Sequence, residues 1–276
     1  MKILILGGHG MAGHVLVRHF RERGEHQVFY TSRDLKDPGS LILDAGDIVA
    51  VDQAVQLVRP DVVINAVGVL NQFADRDKIM AYHINGFLPH RLRHLADKVN
   101  ARLIHISTDC VFRGDRGGYR EDDQPDGVST YALTKALGEV HDEGHLTIRT
   151  SIIGPEIRQQ GIGLFQWFMS QKGKVSGYRR VPWNGVTTVQ LAKTIELLLD
   201  RPVSGLIHLA HPEVVSKYEM LQMFQEIWGK TDVEIEPDDG PELDRTLVST
   251  RPEAAVPLPP FRQMLEEMAE WMRRYG

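Results

Sequence analysis

The stretches "DVVINAVG" (Asp61–Gly68) and "ARLIHIST" (Ala101–Thr108) are strand-like and apolar without regular alternation. A strand with one wet face alternates polar and apolar residues, so runs like these suit strands covered on both faces. Such cover comes from helices on either side of a parallel sheet, and the neighbouring segments carry the matching spacing. "MAGHVLVRHFRERG" is helical and closes on Gly24, and "VDQAVQLVRP" is helical and stopped by Pro60. "AYHINGFLPHRLRHLADKVN" reads as a helix with a break near Pro89. With "KILIL" and "HQVFYTS" as further strands, the first half alternates strand and helix throughout.

After Arg149 the pattern loosens. "GPEIRQQGIGLFQWFMSQKGK" is rich in Gly and Gln, then "TTVQLAKTIELLLD" resumes a helix and "GLIHLA" a strand. The expected organisation is a cofactor-binding domain over residues 1–150, with 183–210 returning to it. A smaller lobe for substrate then comes from residues 151–182 and 211–276.

What kind of ligand such a sheet holds depends on its loops. In "LILGGHGMAGHVL", Gly7, Gly10 and Gly13 follow the first strand and open the first helix, spaced G-x-x-G-x-x-G. Glycines there permit a tight turn and let the backbone approach a pyrophosphate, which sits at the positive end of the helix. This makes the fold class α/β, a Rossmann-type doubly wound parallel sheet with a smaller C-terminal substrate-binding lobe. The second strand ends in "YTSRD". An acid there suits the ribose of NAD, whereas an arginine accommodates the 2'-phosphate of NADP. Arg33 arrives before Asp34, which favours NADP(H), with NAD(H) as the alternative.

Other ligand classes find less support. The formal net charge is -5 and no Lys/Arg block stands out, so nucleic acid and membrane surfaces lack an electrostatic case. No apolar run approaches bilayer length. The single cysteine, Cys110, excludes an internal disulfide, and the cytoplasm is the simplest compartment. Cys110 reads as a small buried residue rather than a reactive thiol. His90 and His94 lie one helical turn apart, but no third ligand is signalled, so no metal site is expected.

The chemistry comes from two segments. "HISTDCVF" brings Ser107 and Thr108 to the carboxyl edge of the sheet, where such folds place reactive side chains. "STYALTKALGE" places Tyr131 and Lys135 four apart on a helix, hence on one face. A phenol is a poor acid–base group at its usual pKa of about 10. A cation nearby favours phenolate and is expected to lower it, giving a proton donor for a carbonyl or a base for an alcohol. A hydroxyl such as Thr108 can bond the same oxygen as charge develops.

Taken in order, "GGHGMAGHVL", "RPDVVINAVG", "STDCVF", "YREDDQPDGVSTYALTKALGE" and "IRTSIIGPE" resemble the extended short-chain dehydrogenase/reductases. Within them, the chain is similar to the dTDP-4-dehydrorhamnose reductases and related nucleotide-sugar reductases. The resemblance spans the first two-thirds, reappears in "VPWNGVTT" and "GLIHLA", and is loose in the last third. It implies Thr108, Tyr131 and Lys135 as catalytic residues, with Lys135 also reaching the cofactor. It implies a cofactor site at Gly7, Gly10, Met11, Gly13, Arg33, Asp44, Asn65, Ala66, Gly68 and Ile153. Ser107, Asn85 and Arg149 are implied on the substrate side. The implied reaction is NADPH-dependent reduction of a nucleotide-linked 4-keto-6-deoxy sugar, and a homodimer stays open.

There are departures from the rhamnose reductase pattern. Ile152 replaces an aromatic residue after "RTS", Cys110 replaces a tyrosine after "STD", and "DRTLVSTRP" departs from the usual tail motif. They leave the three catalytic candidates intact and the sugar open. Two alternatives remain. One is a nucleotide-sugar epimerase or dehydratase, although Cys110 stands where a dehydratase has its second acid. The other is a non-catalytic subunit like the regulatory subunit of methionine adenosyltransferase.

Overall fold

The computed structural model describes residues 1–157 and 161–275. Residues 158–160, in the Gly- and Gln-rich stretch, lie outside the described residues. The first half runs β1 (Lys2–Leu6), α1 (Gly13–Arg23), β2 (Gln27–Ser32), β3 (Leu41–Ile42), α2 (Ile48–Val58) and β4 (Val62–Asn65). It continues with α3 (Asn71–Arg76), α4 (Lys78–Ala81), one π-helical turn (Tyr82–Phe87), α5 (Leu88–Val99) and β5 (Arg102–Ile106). Then come α6 (Thr130–Leu137), β6 (Leu146–Arg149), β7 (Ile152–Ile153), α7 (Leu164–Ser170) and β8 (Gly173–Tyr178). The last part holds β9 (Pro182–Trp183), β10 (Val186–Thr187), α8 (Thr188–Leu199) and β11 (Gly205–His208). It closes with β12 (Val215–Ser216), α9 (Lys217–Trp228), β13 (Val233–Asp238) and α10 (Phe261–Tyr275).

The central sheet has seven strands in the order β11, β6, β5, β4, β1, β2, β3. All of its pairings are parallel. Period-two geometry divides each apolar strand between two cores. Ile3, Ile5, Ile64 and Ile104 face one core, where Leu16 and Phe20 of α1, Leu191 and Ile195 of α8 and Met264 of α10 meet them. Leu4, Leu6, Val63 and Leu103 face the other, against Val51 and Val55 of α2 and Leu88 and Leu92 of α5. The lack of polar alternation in β4 thus follows from helices on both sides. Each fully buried Leu or Ile contributes roughly 1.5–3 kcal/mol.

From β1 the chain winds outward to β2 and β3, then returns to β4 on the other side of β1. That reversal opens a crevice at the carboxyl ends of β1 and β4, the place where open sheets bind ligands. The far edge is extended by β11, which pairs with β6. In the C-terminal part, β13 pairs with β8 and α9 packs on both. Phe165, Phe224 and Trp228 fill the space between them with edge-on and tilted rings, 4.6–5.9 Å between centroids.

The helix expected to break near Pro89 departs earlier. Its irregular turn is the π-helical Tyr82–Phe87, which runs directly into α5 just before Pro89, the residue that has no N–H to continue the helical ladder. His90 Nε2 donates to the Leu137 carbonyl (2.8 Å), joining α5 to the end of α6.

Candidate active site

The glycine loop is built so that only glycine fits. Gly7 has a φ of +82°, and a Cβ on Gly13 would lie 2.0 Å from the Gly7 carbonyl oxygen. The loop closes through Gly10 N–H donating to the Gly7 carbonyl (2.8 Å). It is pinned to β2 by Gly7 N–H on Thr31 Oγ1 (3.0 Å) and Gly8 N–H on the Thr31 carbonyl (2.8 Å). No side chain caps the N-terminus of α1. His14 N–H donates to the Gly10 carbonyl (3.1 Å), and the first-turn amides left over are available to an anion, which the helix dipole favours. This cradle fits a dinucleotide pyrophosphate, with Met11 beside it and Ala66 of the neighbouring loop at the back.

Arg33 and Asp44 stand together at the outer rim. Their side chains are 64% and 58% exposed, with Arg33 Nη1 3.8 Å from Asp44 Oδ2. Asn65 is fully buried instead. Its carboxamide meets His105 Nδ1 (3.1 Å) and accepts from Val67 N–H (3.2 Å), so it shapes the loop through Ala66 and Gly68. Ile153 is buried in β7, which pairs with β10.

The sheet edge and α6 bring Thr108, Tyr131 and Lys135 into one neighbourhood. Ser129 caps α6 by accepting from Ala132 N–H (3.1 Å), which sets Tyr131 in the first turn and Lys135 one turn on. Both are buried. Thr108 Oγ1 donates to Asp109 Oδ1 (3.1 Å) and accepts from Cys110 N–H (3.2 Å). Lys135 Nζ donates to the Ile106 carbonyl (2.8 Å) and lies 3.4 Å from His105 Nε2. Burial pulls its pKa down to about 8, against the attraction of Glu139.

The expected lowering of the Tyr131 pKa is not what this geometry produces. Burial, with Cys110 and Asp109 adding to it, raises the phenol above its usual value, and only the Thr108 hydroxyl opposes them. The Lys135 ammonium is drawn to the end of β5 rather than to the phenol. Tyr131 therefore keeps its proton, as a donor must.

Residues 1–256 match the RmlD substrate binding domain family. The chain belongs to that family. Proteins similar to this RmlD-family chain include a probable low-salt glycan biosynthesis reductase of Haloferax volcanii, 28% identical over 91% of this chain and 88% of that one. The dTDP-4-dehydrorhamnose reductase of Mycobacterium tuberculosis is 25% identical over 89% of this chain and 88% of its own length. The methionine adenosyltransferase 2 subunit beta of Xenopus tropicalis is 27% identical over 79% and 70%. The solved dTDP-4-dehydrorhamnose reductase of Bacillus anthracis, in complex with NADP, shares the fold at TM-score 0.83 and 21% identity, covering 98% of this chain and 99% of that one.

Within this RmlD-family site, three residues assigned to the substrate side do other work. The Arg149 side chain is buried and forms a two-pronged ion pair with Glu139, Nε to Oε1 and Nη2 to Oε2, each 2.7 Å. Ser107 Oγ donates to the same carboxylate (2.7 Å). Asn85 donates to the Val69 carbonyl (2.9 Å) and Thr134 Oγ1 (3.1 Å) and accepts from Val69 N–H (2.8 Å). Arg149 of β6 and Ser107 at the end of β5 meet on Glu139 just after α6, and Asn85 ties the loop after β4 and Thr134 of α6 to the π-helical turn, so these side chains hold the edge that carries Thr108.

Sequence reasoning missed Glu139, Lys217 and Arg245. Glu139 carried a signal, since it falls four residues after Lys135. Arg245 Nε donates to the Phe112 carbonyl (2.8 Å), and its Nη1 lies 3.6 Å from Cys110 Sγ. Nothing in the loose C-terminal pattern places Lys217 or Arg245 against "STDC".

Proposed function

We propose that the protein is an NADPH-dependent reductase of a nucleotide-linked 4-keto-6-deoxy sugar, of the dTDP-4-dehydrorhamnose reductase type, serving deoxysugar and polysaccharide synthesis. The observation that carries this is the convergence of Thr108, Tyr131 and Lys135 at the sheet edge of an RmlD-family chain. When bound, NADPH supplies the hydride. The glycine cradle and the bare N-terminus of α1 hold its pyrophosphate, and Lys135 reaches its ribose. Tyr131, protonated because it is buried, gives its proton to the oxygen of the reduced carbonyl. Thr108 shares that oxygen while negative charge develops. The test is NADPH consumption over a panel of 4-keto nucleotide sugars.

Arg33 is the residue we assign to the 2'-phosphate, because it is exposed at the rim and only loosely matched by Asp44. Losing a bond to a charged group costs about 1.5–3 kcal/mol, or roughly ten- to a hundredfold in affinity. Arg33→Ala should weaken NADPH by that factor and NADH much less. Fluorescence titration with both cofactors checks it, and equal losses would remove the assignment.

Dehydration would need a second acid beside Asp109. Cys110 occupies that place, and burial with the Asp109 charge pushes its thiol up to about 12, too weak an acid for a leaving hydroxyl. Phe87, Leu133 and Leu137 stand exposed on the π-helical turn and α6, which pack on each other. We assign that apolar face to a second copy of the chain, and a one-chain mass by light scattering would reject it. No helix among the described residues is long and apolar enough to cross a membrane. We place the reaction in the cytoplasm, where a chain with one cysteine needs no disulfide; recovery outside that fraction would contradict it.

A further inference from the structure

The segment that follows Thr108 meets the C-terminal part of the chain, and a cation stands at that wall. Lys217 opens α9, fixed there by the reciprocal cap of Ser216 and Glu219. Its own N–H donates to the Val181 carbonyl (3.0 Å). The ammonium lies 5.4 Å from the centre of the Trp183 ring, whose indole N–H is anchored on Ser151 Oγ (2.9 Å). Ser151 follows Thr150, whose carbonyl accepts from Asp109 N–H (3.3 Å), so the platform stands beside the residues that follow Thr108. Among the described residues, no carboxylate lies within 4.0 Å of the Lys217 ammonium. Arg245, the other cation at this wall, is already engaged by the Phe112 carbonyl and the Cys110 sulfur.

Lys217 is half-buried, and crowding by protein lowers its pKa to about 8, against the pull of Asp109. A cation held in this way, on a fixed aromatic platform and short of partners, is poised for a ligand. Which part of the ligand follows from its neighbours. Cys110 packs against the Tyr131 ring, so the wall that carries Lys217 borders the space of the proton donor. In a nucleotide sugar the diphosphate hangs on the ring carbon across from C4. Beside C4 itself, a 6-deoxy sugar offers a hydroxyl on C3 and a methyl-bearing carbon on the other side. An ammonium is a hydrogen-bond donor, which matches a hydroxyl and not a methyl group.

We propose that Lys217 is a specificity-determining residue that binds the sugar-ring hydroxyl beside the reacting carbonyl. The inference rests on the reductase reading, so its test uses binding rather than turnover. Calorimetry of the NADP-loaded protein compares dTDP-rhamnose, the reduced form of the sugar, with bare dTDP. Wild type should prefer dTDP-rhamnose. Lys217→Met, which keeps a stem over Trp183, should lose about ten- to a hundredfold of dTDP-rhamnose affinity and leave dTDP affinity unchanged. Lys217→Arg, which returns a cation to the platform, should regain most of the preference. Equal loss for both ligands, or no loss, would overturn the proposal while the reductase reading stands. A wild-type protein without preference for the sugar would overturn both.

Discussion

Replacing Tyr131 by phenylalanine is expected to cut turnover by about 10²–10⁴-fold while fold and cofactor affinity hold. The ring packs in a pocket with Ala74 and Ala81 and is only 8% exposed, so the apolar body that stabilises the site remains. What disappears is the one phenolic proton, held by a group whose pKa burial raises and placed beside the Thr108 hydroxyl. Cys110 cannot replace it, because its thiol is pushed up to about 12. Single-turnover kinetics with saturating cofactor reads the effect directly. A Tyr131→Phe enzyme that reduces substrate at the wild-type rate would remove the phenol from the mechanism.

The second large effect is on stability. Arg149 and Glu139 are 2% and 1% exposed, and the guanidinium covers both carboxylate oxygens. Removing one partner of a buried pair leaves the other charged and unmatched, at a cost of about 3–5 kcal/mol. Domains of ordinary stability hold about 5–15 kcal/mol in total. Arg149→Met should therefore lower the urea midpoint sharply, with the Ser107 hydroxyl as the hydrogen bond left to Glu139. Arg149→Met combined with Glu139→Gln should recover much of the loss, because the stranded charge is gone. A single variant as stable as wild type would show that the pair does not hold the sheet edge together.

The contrast between those two residues marks how far the sequence could be read. The lack of polar alternation in β4 and β5 announced a sheet covered on both faces, and the two cores built on Ile3, Ile5 and on Leu4, Leu6 are its consequence. The glycine spacing announced the cradle, since a Cβ at Gly13 has no room. Helical spacing put Tyr131 and Lys135 on one face. Direction was another matter. Residue type said that Arg149 carries a charge, not that Glu139, ten residues earlier, would bury it. Helical spacing brought Lys135 near Tyr131 but could not show that the Ile106 carbonyl would claim the ammonium. In the last third, β8 and β13 pair across a separation that no local pattern records. Lys217 reaches the cleft only through such long-range pairing, β12 on β9 included.

The most direct measurement follows NADPH absorbance and sugar product together, with a 4-keto-6-deoxy nucleotide sugar and, separately, with dTDP-glucose. Reduction by Tyr131 and hydride is expected to oxidise one NADPH for each keto-sugar consumed and to leave dTDP-glucose unchanged. Conversion of dTDP-glucose to a 4-keto-6-deoxy product without net cofactor change, or no NADPH oxidation with any keto-sugar of the panel, would contradict it.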